Sequence, residues 1–227
     1  MKKFKRVGAF IYMPLLFMLF GYLIIYIIGA PVINFASSAV QLILLNDTPS
    51  FDTKANNLFA EAKQETKEEA INEAGKIASS TMVYPVSGDQ FGQVVIEKVG
   101  INEPLFYGDS EEILSLGAGQ YIGSMIPGDL GTTLIGGHNR PSFGQIYYLE
   151  PGDQIVINTH YGDYSYQVTE KKVSTKNDPV INERLGDKSK RSLILYTCYP
   201  LDAIGWADDR VFVFADYVSG PIIDESI

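Results

Sequence analysis

The sequence predicts a mainly β domain held outside the membrane by one N-terminal transmembrane helix. Three observations lead there. A charge-free apolar block follows a basic N-terminus, a Glu/Lys/Ala-rich stretch comes next, and then short β-branched and aromatic runs alternate with turn residues. Net charge is −9, and outside residues 1–6 Lys and Arg are scattered. With no basic stripe to neutralise phosphates, nucleic-acid binding is excluded.

The elements follow in order. Residues 1–6 form a basic cytoplasmic tail, and residues 7–33 contain no charged side chain. A bilayer-spanning helix needs about 20 apolar residues. Pro14 lies near one end, and Gly21 and Gly29 are tolerable in lipid. Lys and Arg favour the cytoplasmic side. Residues 7–33 therefore read as a single-pass signal-anchor with everything after it extracytoplasmic. Small residues at Ala36-Ser37-Ser38-Ala39 suit a cleaved signal peptide instead, but the apolar stretch exceeds the usual run of roughly 7–15 residues.

Residues 34–81 are expected to be a spacer. Asn46-Asp47-Thr48-Pro49-Ser50 breaks the apolar pattern. Glu61 to Lys76 favours helix by propensity but carries like-charge pairs such as Glu61/Glu65 and Lys63/Lys67, and reads as a partly helical, solvated stalk. From Met82 strands dominate. Gly92 to Glu97 and Ile101 to Tyr107 are two, with Pro104 marking an edge or bend. Ser110 caps a short helix whose first turn holds Glu111 and Glu112, and Gly117-Ala118-Gly119 ends it. Strands are expected at 132–135, 154–158, 164–169, 193–197 and 210–215, with a polar loop over 174–190. About eight short strands with little helix argue for an all-β barrel or sandwich over residues 82–218, leaving 219–227 as a short tail.

Cys198 is the one cysteine of the chain, so an internal disulfide and a zinc thiolate cluster are both excluded. It ends the apolar run Leu193-Ile194-Leu195-Tyr196-Thr197. His138, one of two histidines, ends Thr133-Leu134-Ile135-Gly136-Gly137, and Arg210 opens Val211-Phe212-Val213-Phe214. A thiol, an imidazole and a guanidinium at strand edges are the parts for acyl transfer: nucleophile, proton shuttle and anion stabiliser. Each has a plainer reading: Cys198 as a small buried hydrophobe, His138 as an ordinary strand-end residue, Arg210 as a surface residue. Gly136 and Gly137 let backbone approach a ligand closely or make a bulge. His160 precedes a Gly-Asp turn and reads as exposed and non-catalytic. Trp206 either lines a groove or caps the core. Asp208 and Asp209 read as solvated charges.

Taken in this order, Thr133-Leu134-Ile135-Gly136-Gly137-His138, Leu195-Tyr196-Thr197-Cys198 and Arg210 on the next strand resemble a sortase. Thr197-Cys198-Tyr199-Pro200, with Ile204-Gly205 and Ala207 before Arg210, is most similar to class D. Pilin-polymerising sortases usually add a C-terminal membrane helix and an Asp-Pro-aromatic lid. The tail Pro221 to Ile227 is too short and polar to span, and Asp47-Thr48-Pro49-Ser50-Phe51 is only loosely similar to a lid.

The resemblance implies an eight-stranded β-barrel and a membrane-anchored cysteine transpeptidase, a thiol protease by chemistry, on the surface of a Gram-positive cell. It implies that Cys198 forms a thioester with an LPxTG-like signal, LPNTA-like by class, and that a cell-wall or pilin amine receives the protein. It also implies His138 as proton shuttle and Arg210 as oxyanion clamp, with Thr197, Tyr199 and Trp206 contacting substrate. No cofactor is expected. Glu111, Glu112 and Asp129 lack the ligand spacing of the calcium sites that some sortases carry. The competing functions are a non-catalytic β-domain that binds wall glycan or a partner protein, for which 14 Tyr supply contact surface, and a papain-like hydrolase, whose Cys normally precedes its His.

Overall fold

The β-branched and aromatic runs form ten strands among the described residues. In chain order these are β1 (Lys76–Ala78), β2 (Gln90–Ile96), β3 (Ile101–Tyr107), β4 (Ala118–Gln120), β5 (Thr132–Gly136), β6 (Gln154–Thr159), β7 (Asp163–Thr175), β8 (Ser192–Tyr199), β9 (Asp209–Ser219) and β10 (Ile222–Asp224). Eight close into a barrel in the order β2-β3-β4-β5-β8-β9-β7-β6, and β1 and β10 form a separate two-stranded sheet. Closure removes the sheet edges that would otherwise template aggregation. The eight-stranded barrel expected from the resemblance is the fold observed.

The computed structural model describes residues 13, 16–22, 56–62, 67, 70–72, 74–140, 143–202, 207–224 and 226. Residues 1–53 and 54–227 form two compact units. In the first, Met13 and residues 16–22 are helical, and their large apolar side chains are exposed. No helix among the described residues is long and apolar enough to cross a membrane. Most of the expected anchor 7–33, and the lid-like 47–51, lie outside the described residues.

Within the barrel, β8 shows why the pattern works. Leu193 and Leu195 belong to the main core with Val94, Leu105, Ile135, Val211 and Val213. Ile194 points the other way, into a second cluster with Leu134, Ile181, Phe212 and Phe214. A strand buried on both faces reads as a continuous apolar run rather than an alternating one. The second cluster is roofed by a helix that the sequence reading placed in a polar loop. Among the described residues of the barrel unit, α1 (Leu58–Glu61), α2 (Glu111–Leu114) and α3 (Pro179–Gly186) are short helices, and α3 is that roof. Asp178 accepts a hydrogen bond from the Val180 N–H at 3.0 Å, and Pro179 occupies the first helical turn. Burying Ile181 against the barrel contributes about 1.5–3 kcal/mol.

Other expectations shift as well. Ser110 does cap α2, accepting from the Ile113 N–H, but Gly117-Ala118-Gly119 runs into β4 rather than simply ending the helix. A side chain at Gly119 would collide with the Gly108 carbonyl, its Cβ standing 2.4 Å from that oxygen. Several described residues of the expected spacer pack against the barrel, while others such as Ala60, Glu61 and Asn72 are exposed. Lys67 is 8% exposed and pairs with Asp163 at 3.3 Å. β1 pairs in parallel with β10 of the tail, burying Ile77 and Ile223, and Lys76 meets Asp224 at 2.7 Å. These side chains fold onto the barrel because the strand pairing and the buried isoleucines outweigh the like-charge spacing seen in the sequence.

Candidate active site

Barrel order places β8 between β5 and β9. The three sequence motifs therefore lie on three adjacent strands. β8 and β9 are antiparallel with Cys198 directly opposite Arg210, so both side chains leave the same face. β5 and β8 are parallel, with Gly136 level with Tyr196. Two residues further along each chain come His138 and Cys198. The pairing continues past the end of β5: the Gly137 N–H donates to the Tyr196 carbonyl at 3.2 Å, and the Thr197 hydroxyl donates to the Gly137 carbonyl at 2.9 Å. The Asn139 amide donates to the Leu201 carbonyl at 3.0 Å, tying the loop after His138 to the loop after Cys198. His138, Cys198 and Arg210 are all partly exposed at this end of the barrel.

The two glycines before His138 have a concrete cause. A Cβ on Gly136 would sit 2.2 Å from the Tyr196 ring, and one on Gly137 would sit 2.4 Å from the Phe143 ring. They admit aromatic rings of this chain. Tyr196 in turn approaches Asp109 at 3.4 Å. Burial, with Asp109 adding to it, pushes the Tyr196 phenol well above its ordinary range, while Arg210 acts in the opposite direction. Tyr196 therefore stays protonated beside the thiol.

Arg210 uses one guanidinium nitrogen, Nη1, to bond the Ala207 and Asp209 carbonyls, the latter at 2.9 Å. These contacts hold the fork over the β8–β9 edge. Arg210 also lines a groove of about 320 Å³ with Leu134, Ile181, Tyr196 and Phe212, and Asp109, Lys176 and Asn182 supply its polar lining. Leu134 comes from the strand before His138, and Lys176, Ile181 and Asn182 come from the stretch read in the sequence as a polar loop.

The remaining expected substrate contacts divide. Thr197 is wholly buried and spends its hydroxyl on Gly137, which makes it a positioning residue rather than a substrate contact. Tyr199 is half-buried and stacks on Tyr147, with centroids 5.8 Å apart. Trp206 lies outside the described residues. His160 is not exposed as expected. It is half-buried, its Nε2 is 2.8 Å from the Val83 carbonyl, and its ring packs edge-on to Tyr161. Asp209 and Asp208 are exposed. Among the described residues no three His, Cys, Asp or Glu side chains gather as metal ligands. Asp109 and Asn139 do not figure in the sequence analysis, and Tyr196 figures there only as part of the motif before Cys198. Asn139 carried a signal, since an amide directly after the motif His is placed to bridge loops.

Comparison with known proteins agrees with this geometry. A sortase-domain family model matches residues 94–218, more than half of the chain. Sortase D of Bacillus subtilis is 27% identical over 195 residues, which cover 86% of this chain and 97% of that protein. A sortase D5 transpeptidase of Clostridium perfringens superposes with a TM-score of 0.54 at 24% identity, over 68% of this chain and 95% of that one. A SrtA sortase from Actinomyces oris gives 0.55 at 25%, over 61% and 85%. None of these supports a non-catalytic glycan-binding domain. With its barrel, its strand order and the match over residues 94–218, the chain belongs to the sortase family of cysteine transpeptidases.

Proposed function

We propose that this protein is a membrane-anchored sortase that joins surface proteins bearing an LPxTG-like signal to an amine of the cell wall or of a pilin. The observation that carries the site assignment is the strand register: Cys198 stands opposite Arg210 on β9, and Gly136 is level with Tyr196, two residues before His138 and Cys198 respectively. Cys198 attacks the signal's scissile carbonyl and His138 protonates the leaving amine. The thioester then passes to the acceptor amine, whose proton returns to His138. Arg210, always charged and fork-shaped, steadies the oxyanion of each tetrahedral intermediate. The apolar floor of Leu134, Ile181 and Phe212 suits the signal's leucine and proline, and Asp109 and Asn182 suit its polar positions. Similarity to sortase D favours an LPNTA-like signal. Residues 7–33 provide the anchor, with the barrel outside the cell.

The test is cleavage of LPxTG- and LPNTA-type peptides by the full chain in detergent, with mass spectrometry of the trapped enzyme. Turnover with a peptide adduct on Cys198 supports the reading. Absence of both adduct and turnover would sink it. Protease shaving of intact cells tests the compartment: a barrel reached only after lysis would overturn the topology.

A further inference from the structure

We propose that the end of the barrel opposite Cys198 docks on an anionic lipid bilayer, with a headgroup phosphate held by Lys188 and Arg191 in the cavity beside β1 and β10. This rests on the membrane-anchored reading above. The strand register defines that end. β2 and β8 start there, at Gln90 and Ser192, and β3, β4 and β9 finish there, at Tyr107, Gln120 and Ser219. Cys198 lies at the other end of β8, a rise of about 20 Å from Ser192.

A cavity of about 450 Å³ opens at the docking end, lined by Lys76, Met125, Asp129, Leu130, Lys188 and Arg191 together with residues of β10. Its charges are unequal. Lys76 is taken by Asp224 at 2.7 Å. Asp129 then faces two cations, so the lining keeps a positive excess in a chain of net charge −9. The Arg191 Nε donates to the Gly128 carbonyl at 2.8 Å, which fixes the guanidinium on the cavity wall. Among the described residues no carboxylate forms an ion pair with Lys188. Neighbouring carboxylates are engaged elsewhere: Asp216 by Lys190 at 2.7 Å, Asp163 by Lys67 at 3.3 Å, and Asp187 by the Ser189 N–H at 2.8 Å. A forked guanidinium and a point ammonium suit the two charged oxygens of a phosphate diester. Met125, Leu130 and Ile222 offer apolar surface to its glycerol and first methylenes.

Apolar side chains stand out around this end. Val83, Tyr84, Val86, Ile122, Leu130 and Val218 are all exposed, Val86 by 62%. The first three share the loop before β2, and Ile122 approaches it: Ser87 and Ile122 both lie within 4 Å of the Cβ position of Gly108. At a bilayer surface cations meet the headgroups while apolar side chains enter below them, and both contribute to binding. The tether arrives at the same place. Asn56, the first described residue of the barrel unit, donates its N–H to the Asp89 carboxylate and accepts from the Gln90 N–H. Only 22 residues separate Asn56 from the apolar block 7–33. A cationic cavity, exposed apolar groups and the point of attachment thus coincide, and the catalytic side chains lie at the far end.

The experiment uses the full chain in nanodiscs of phosphatidylcholine, alone or with phosphatidylglycerol. In a Cys198→Ala background a nitroxide is attached through Val86→Cys or Ile122→Cys. Val173→Cys is the control, since Val173 pairs with Val211 beside Arg210. The relative access of oxygen and of a water-soluble nickel chelate reports lipid or water at each label. Labels at 86 and 122 are expected in lipid with phosphatidylglycerol and in water with phosphatidylcholine alone, and the label at 173 in water in both. Lys188→Gln should lower the ratio of docked to free barrel about fivefold, the weight of one cation near an anionic surface. Salt at about 1 M, where the screening length is about 3 Å, should release the labels without any substitution. Labels at 86 and 122 that stay in water in both discs, or that meet lipid equally in both, overturn the inference. So does a label at 173 in lipid, or contact that either Lys188→Gln or salt leaves undiminished. A chain that does not enter the discs at all instead removes the membrane-anchored reading, and this inference with it.

Discussion

Replacing Thr197 with Val separates two roles for the residue before the nucleophile. Valine keeps the shape and removes the hydroxyl. Thr197 is fully buried and donates to the Gly137 carbonyl at 2.9 Å. The variant leaves that buried carbonyl short of a donor, a loss of about 1–3 kcal/mol. For a unit of this size each kcal/mol moves the midpoint of unfolding by roughly 2–4 °C, so a fall of about 2–12 °C is expected. The lost bond is also one of the two that carry the β5–β8 pairing beyond Gly136 toward His138. Misplacing a catalytic group by about 1 Å costs up to roughly 10²-fold; a partial loosening should lower kcat by about tenfold and leave KM near its original value. Thr197→Ser, which restores the donor, should recover most of the rate. Calorimetry and peptide-cleavage kinetics on the full chain measure both effects. A Thr197→Val protein with unchanged melting temperature, unchanged kcat and a KM raised tenfold would refute the positioning role and restore substrate contact.

Four further outcomes are expected. Cys198→Ala should give no acyl-enzyme by intact mass, because the chain holds no other thiol. Arg210→Lys should keep the charge but lose the fork, lowering kcat by roughly 10²–10³-fold in the cleavage assay. His160→Ala should leave turnover intact yet lower stability by about 1–3 kcal/mol in denaturant titration, since it removes the 2.8 Å contact to the Val83 carbonyl. The Asp178 carboxyl sits at about 2, below the usual carboxylate range, because Lys172 bonds it, with Ser174 and the Val180 N–H adding to that. Its folded value is depressed, so its stabilisation is full above about pH 4 and is lost as the pH falls from 4 toward 2. Asp178→Asn should flatten that limb of a melting-temperature profile, and an unchanged limb would assign acid loss to other carboxylates.

Strand periodicity made the barrel legible, and motif order made Cys198, His138 and Arg210 legible, because both are local properties of the chain. What escaped depends on contacts distant in sequence. β4 is three residues of Ala-Gly-Gln with weak strand propensity; it exists because β3 and β5 offer ladder partners on both sides. β1 and β10 pair across nearly the whole described barrel unit. α3 was hidden for a different reason. Ile181 and Leu185 are its two apolar residues in the second cluster, joined by the Arg184 guanidinium over the Phe214 ring, too short an apolar stripe to register as periodicity. The Asp178-Pro179 start signal was present in the sequence and would have found it.

The same distinction explains the rigidity of the site. His138 and Cys198 follow the ends of β5 and β8, where a regular ladder would fray. Fraying is resisted by side chains that the motif itself supplies or directly adjoins: the Thr197 hydroxyl on Gly137, the Asn139 amide on Leu201, and the Tyr196 ring over Gly136. Each contact spans about sixty residues of sequence, so none is visible as a local pattern, yet each uses a residue within two positions of His138 or Cys198. The short motifs thus encode their own support as well as their chemistry. An alanine at Gly136 would strike the Tyr196 ring at 2.2 Å, so that ring would have to turn away from its place beside Asp109. Overpacking of this kind costs about 1–3 kcal/mol. The catalytic loss should exceed that figure, since the displaced ring lines the groove that also holds Arg210.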